Sequence, residues 1–250
     1  MKRKLLVALA CIVLLPVLAI VALFATRETP DGPRVDAAPG VVGIEAGGAY
    51  TWIVRTAHGA VLVDAGLDVA GAAILAELKA QRLDTARVQA VLITHGHPDH
   101  YAGAGLFPRA TIVAGSEDLA MMRGDTSHYS RFGRIIGSVM PLPAAPRTIT
   151  GVRGGERLEF DGASFTVIAT PGHSPGSVMY LYTDVLFTGD SLMRKKDGVA
   201  IVPSLFSEDA ARNRASLRAL DHVAFETIAD GHAGVAPGAK RKLARFLAGS

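Results

Sequence analysis

Cysteine is nearly absent from this chain. Its 250 residues include one, Cys11, in an apolar stretch near the N-terminus. The rest therefore has no intrachain disulfide, no cysteine metal ligand and no thiol nucleophile, and C-x-x-C chemistry is excluded. An excess of one charge is missing too. The formal net charge is +3, and Lys2, Arg3 and Lys4 account for all of it, leaving 23 basic against 23 acidic residues. That balance gives no case for nucleic-acid binding. The one local run, Lys240, Arg241, Lys242 and Arg245, reads as the solvated face of a last helix. Aromatic residues make up 6%, and the single tryptophan, Trp52, reads as a packing residue. No repeat at a solenoid period is present.

An unbroken apolar run, Leu5–Ala25, follows the basic N-terminus. As a helix, 21 residues reach about 31 Å, close to the roughly 30 Å hydrocarbon core of a bilayer. The small residues of a cleavage site come too early, at Ala8–Ala10, and Leu23 sits badly for a cut near Ala25. The run predicts an uncleaved single-pass anchor over residues 1–25. The positive-inside rule then puts the rest outside the cytoplasmic membrane, attached to it and extracytoplasmic. Residues 26–39, with three prolines, predict a linker, and residues 40–250 one domain.

Within that domain the densest chemistry is His95-Gly96-His97-Pro98-Asp99-His100. It follows the apolar run Val88–Ile93, which reads as a buried strand. Imidazole and carboxylate are ligands that zinc and other first-row metals accept. In extended backbone His95 and His97 point the same way. Gly96 and Pro98 mark a turn, after which Asp99 and His100 can serve an adjacent position. A plain strand-to-helix turn would not need four ligand-type side chains from a chain with eight histidines.

Further candidates stand at strand ends: His173 in Thr170-Pro171-Gly172-His173, Asp190 after Phe187-Thr188-Gly189, and His232 after Asp230-Gly231. With Val61-Leu62-Val63-Asp64-Ala65-Gly66 upstream, these motifs resemble, in order, those of the metallo-β-lactamase-fold hydrolase superfamily, over about residues 40–235. The resemblance implies a four-layer αββα sandwich; the pattern alone says only mixed α/β. It implies one metal on His95, His97 and His173, a second on Asp99, His100 and His232, and Asp190 bridging them. Two zinc ions are expected, iron or manganese being alternatives. A bridging hydroxide would attack a carbonyl, with Asp99 orienting it or passing a proton to the leaving group. Asp64 would orient a ligating histidine. Tyr101, His128 and Tyr129 are candidate substrate contacts.

The implied substrate is a small ester, thioester, lactone or lactam, as in glyoxalase II-like and lactonase-like single-domain members. Only 18 residues follow His232, so a glyoxalase II-type helical domain is not in this sequence, and no nucleic-acid-binding insertion separates His173 from His232. Lack of cysteine disfavours the β-lactamase branch that holds its second metal with one. Rival readings are a β-lactamase proper, an iron persulfide dioxygenase-like oxidoreductase using His95, His97 and His173 alone, and a membrane-tethered binding protein. Arg123–Thr150, rich in Gly, Ser and Pro, predicts an irregular loop over the site. Ser116 and Ser207 are expected helix caps.

Overall fold

The computed structural model describes residues 28–139 and 142–249. The run Leu5–Ala25 lies outside them. Among the described residues no helix is long and apolar enough to cross a membrane. Two sheets dominate. The first has seven strands in sequence order: β1 (Arg34–Ala38), β2 (Val41–Glu45), β3 (Tyr50–Arg55), β4 (Ala60–Val63), β5 (Val88–Leu92), β6 (Thr111–Gly115) and β7 (Thr150–Val152). The second has six, in the order β15 (Val235–Pro237), β14 (Thr227–Asp230), β11 (Val185–Gly189), β10 (Val178–Tyr182), β9 (Ala163–Ala169) and β8 (Arg157–Phe160). A small hairpin, β12 (Met193–Lys195) with β13 (Gly198–Ala200), stands apart from both. The α-helices in chain order are α1 (Ala72–Ala80), α2 (Pro98–Tyr101), α3 (Leu119–Met122), α4 (Arg131–Val139), α5 (Ala210–Ser216) and α6 (Ala239–Ala248).

Alternation along the strands builds the layers. Tyr50, Trp52, Val54, Val61, Val63, Ala90 and Leu92 turn inward and meet Phe165, Val167, Val178, Tyr180 and Phe187 of the second sheet. Their sequence neighbours Ile53, Leu62 and Val91 face the other way, against Ile74 and Leu78 of α1. On the far side, Met179, Leu186 and Ile228 pack on Leu243 of α6 and on Leu217 and Leu220. The result is the expected αββα sandwich. Trp52 is a core residue, as its isolation in the sequence suggested.

Direction matters more than layering. In the first sheet β4, β5 and β6 run parallel. In the second, β9 and β11 are both antiparallel to β10, and β11 is parallel to β14. The C-terminal ends of β9, β11 and β14 therefore share one edge, where His173, Asp190 and His232 follow. The ends of β4 and β5 deliver Asp64 and His95.

Three expectations are corrected. Residues 26–39 were expected to form a linker, but Arg34–Ala38 pairs antiparallel with β2, Arg34 facing Ile44 and Val35 facing Gly43. Five residues with one β-branched side chain carry little strand signal of their own; the open edge of β2 supplies the pairing. Residues 123–150 were expected to be irregular but contain α4. Gly133 and Gly137 weaken its intrinsic propensity; packing compensates, with Phe132 edge-on to Phe206 at 5.4 Å between centroids. The third concerns caps. Asp209, not Ser207, caps α5, its carboxylate accepting from Arg212 N. Ser116 lies inside a short 3-10 turn, Ser116–Asp118, that has no side-chain cap.

Phe187 is fully buried between the sheets, 6.1 Å from Trp52 between ring centroids. Phe187→Ala should cost about 3–5 kcal/mol, read as a lower urea midpoint with an unchanged slope.

Candidate metal centre

The polypeptide leaves β5 through Ile93 and Thr94, presents His95 and His97, and turns at Pro98 into α2. Pro98 suits the first helical position, where its missing N–H costs nothing. His95 Nε2 lies 2.9 Å from His97 Nδ1, His173 Nε2 3.1 Å from His95 Nε2, and His173 Nε2 2.9 Å from His97 Nδ1. A ring nitrogen carries either one hydrogen or one in-plane lone pair. Three of them in a triangle cannot all satisfy one another. Three lone pairs aimed at a common point fit a cation.

Protonation points the same way. Burial, reinforced by neighbouring histidines, holds His95 far below the usual histidine range. Burial and the His97 ring push His173 down to about 3. His97 is also lowered, chiefly by burial. All three are neutral at physiological pH, the form a metal binds.

Asp99, His100 and His232 form a second group. His100 Nδ1 is 2.8 Å from Asp64 Oδ2, and Asp64 also accepts from Thr94 N at 2.8 Å and from the Thr94 hydroxyl. Asp64 holds this position with φ +60, a conformation Asp tolerates better than most residues. His100 Nε2 is left facing the site. It and Asp190 Oδ1 lie 3.5 Å apart, both buried and both without a hydrogen-bond partner among the described residues. His232 Nδ1 sits 2.6 Å from Gly48 O, which turns Nε2 toward Asp190 Oδ2 at 3.1 Å and Asp99 Oδ2 at 3.6 Å.

Asp190 reaches both groups, since its Oδ2 is also 3.7 Å from His173 Nε2. Burial tends to raise its pKa, but His232 and His100 hold it well below the usual carboxylate range. Burial tends to lower His100, yet Asp64, Asp99 and Asp190 together raise it to about 10. Protons on this histidine take the place that a dication would fill among three carboxylates. The donor set thus suits hard-to-borderline ions such as zinc at both positions.

All seven predicted ligands are brought together. The predicted substrate contacts divide. Tyr129 is buried with its ring edge-on to His97, 5.2 Å between centroids. Tyr101 is wholly buried in the outer core, its hydroxyl donating to Pro143 O, so it offers a substrate no surface. His128 is exposed and bound to Glu208, Nδ1 to Oε1 at 2.8 Å, which ties its segment to the one that follows the second sheet's loops. His58, read as a surface turn residue, is exposed and paired with Asp161.

Asp118 was missed. Its Oδ2 accepts from Gly96 N at 2.7 Å and the Ser174 hydroxyl at 2.6 Å, and its Oδ1 from Gly176 N at 2.6 Å. One buried carboxylate thereby fastens the His95–His97 loop to the His173 loop. A side chain at Gly176 would collide with it. Read locally, Asp118 looked like a first-turn helix residue, and no spacing signal links it to residues 22 and 56 positions away. Asp230 is the second omission. Its Oδ1 accepts from the amides of His232, Ala233 and Gly234, and its carbonyl accepts from the Trp52 indole.

A profile of the metallo-beta-lactamase superfamily matches residues 44–232. The chain is 33% identical over 181 residues to a hydroxyacylglutathione hydrolase of Acidiphilium cryptum, the match covering 72% of this chain and 61% of that one. It is 32% identical to human metallo-beta-lactamase domain-containing protein 1 over 82% of this chain and 65% of that one. The matches thus span less than two thirds of these relatives. Among solved structures, a metallo-beta-lactamase family protein from Thermus thermophilus superposes with a TM-score of 0.69 at 21% identity, over 86% of this chain and 80% of that one. The Rm3 metallo-beta-lactamase does so at 0.67 and 20%, over 88% and 94%.

Asp118→Ala removes the acceptor from three donors. Each buried donor left unpaired costs about 1–3 kcal/mol, so a loss of several kcal/mol is expected, against about 1 kcal/mol for Ser174→Ala. Urea titration compares them; equal effects would show that Asp118 does not fasten the loops.

Proposed function

The chain belongs to the metallo-β-lactamase superfamily, and on that footing we propose that it is a dinuclear, zinc-dependent hydrolase of a small ester, thioester, lactone or lactam. The observation that carries this reading is the single carboxylate, Asp190, shared between two complete donor groups. His95, His97 and His173 would hold one ion and Asp99, His100 and His232 the other, with Asp190 between them. Zinc in such sites supplies a hydroxide at neutral pH and a Lewis acid that polarises a carbonyl.

The protein's own part is orientation, charge and proton handling. Asp64 fixes the ring of His100, and the Gly48 carbonyl fixes that of His232, as outer partners of ligating histidines do. Asp190 offsets the charge of two dications. Asp99 has a side chain 34% exposed where His100 and His173 are buried. It is the donor with access to a leaving group and the natural carrier of a proton to it. Relatives named for hydroxyacylglutathione, itself a thioester, favour thioesters within the class.

The sequence supports membrane attachment through Leu5–Ala25, with the domain extracytoplasmic. β1 begins at the edge that carries the metal groups, because it runs antiparallel to β2, whose C-terminal end approaches the Gly48 turn. An anchor would therefore hold the site edge toward the bilayer. A reporter fused after Ser250 should be active outside the cytoplasm and inactive inside; a mature protein starting near Thr26 would refute the anchor.

Elemental analysis should find close to two zinc-like ions per chain, with turnover in a panel of chromogenic ester, thioester, lactone and β-lactam substrates. One iron with oxygen consumption on a persulfide would establish the oxidoreductase instead. Asp190→Asn should retain the fold and the three-histidine ion, lose most of the second, and lower turnover by orders of magnitude. Two retained ions with near-parental turnover would remove Asp190 from the bridge.

A further inference from the structure

The backbone ahead of β1 is not loose. Thr29–Pro33 lies as a strap across the turn that presents His232. Asp31 N donates to Ala233 O at 3.1 Å, and Asp31 Oδ2 accepts from Val235 N at 2.8 Å. Asp31 Oδ1 pairs with Arg194 Nη2 at 3.0 Å. The same Nη2 donates to Thr29 O at 2.7 Å and Ala233 O at 2.8 Å. Arg194 N in turn donates to Asp230 Oδ2 at 2.6 Å, the carboxylate whose other oxygen takes the His232 amide. At the strap's far end the Tyr50 hydroxyl donates to Gly32 O at 2.6 Å, while Tyr50 N donates to Gly231 O at 2.7 Å.

The turn from Gly231 to Val235 is thus held on two sides. Asp230 grips it from within, and Asp31 with Arg194 grips it from the strap. Gly234 has φ +116, and a Cβ there would collide with the Asp31 carboxylate. The glycine leaves room for the strap as well as for the turn. None of these strap contacts touches the three-histidine group.

We propose that Asp31, through Arg194 and the Ala233–Val235 backbone, is a positioning residue for His232, so that a strap outside the family's motifs sets the affinity of the second metal position. This rests on the two-ion reading. A turn held against two anchors keeps the His232 ring at its angle between Gly48 O, Asp190 and Asp99. Released on the strap side, the ring samples angles at which Nε2 no longer meets them. The three-histidine position, fastened by Asp118, has no such dependence. The strap also follows directly on residues 1–27, so whatever holds the N-terminus pulls on the His232 turn.

The test uses the full chain in detergent and zinc titration against a chromogenic chelator, with the thermal midpoint as companion. Asp31→Ala and, independently, Gly234→Ala should weaken one of the two ions about 10–100-fold, the usual effect of losing an outer partner, and leave the other at parental affinity. Asp36→Ala, an exposed β1 residue paired with Arg34, is the control and should change neither. Parental affinity for both ions in Asp31→Ala and Gly234→Ala overturns the inference alone. Equal weakening of both ions also overturns it, since the strap would then be a general support. A parental chain that binds one ion would defeat the two-ion reading itself, and this inference with it.

Discussion

Three neutral imidazoles at mutual hydrogen-bonding distance, beside a buried cluster of carboxylates, form an arrangement that a protein does not hold without a cation's charge to be shared. The nitrogens of His95, His97 and His173 cannot all bond to one another. Asp64, Asp99 and Asp190 crowd around His100 and His232 and keep both more basic than an ordinary histidine, against the effect of burial. Buried polar groups without partners are costly, so the site is stable only as a place where something positive binds. Much of the surrounding structure serves to keep these donors from relaxing away.

That service comes from the sandwich. Parallel strands end at one edge, and loops there can carry functional side chains on rigid supports. Two buried carboxylates outside the ligand set do the fastening. Asp118 joins loops from the two sheets, and Asp230 gathers three consecutive amides of the His232 turn. Burial raises the pKa of both, and the donated amides and hydroxyl oppose it. Trp52 connects the central core to this edge, its ring packed between the sheets and its indole N–H on the Asp230 carbonyl. Core packing and metal geometry are therefore not separable properties here.

The linear order of the motifs was enough to name every member of the two donor groups, and alternation was enough to place most strands within a residue or two. Misreadings fell where local pattern carries no long-range information. Strand β1 and helix α4 are poor formers by composition and exist through partners, β2 for one and Phe206 for the other. Tyr101 follows the ligand His100 directly, yet the helical turn of α2 sends its ring into the outer core. Asp118 looked like a helix-start residue because its three partners lie on loops far along the chain.

By itself the sequence determined the chemistry: which side chains can ligate, that no thiol takes part, and that several strands end in glycine-rich turns bearing those side chains. These are properties of residue types and short spacings, which the linear chain carries in full. Only the tertiary structure decided that Asp190 faces both donor groups, that Asp64 rather than solvent orients His100, and that a strap before β1 supports the His232 turn. Those facts depend on the relative placement of segments up to about two hundred positions apart, as in the contact of Asp31 with Val235. Short-range periodicity has no term for such distances; they are set when two sheets bury a common core and their edges close on each other.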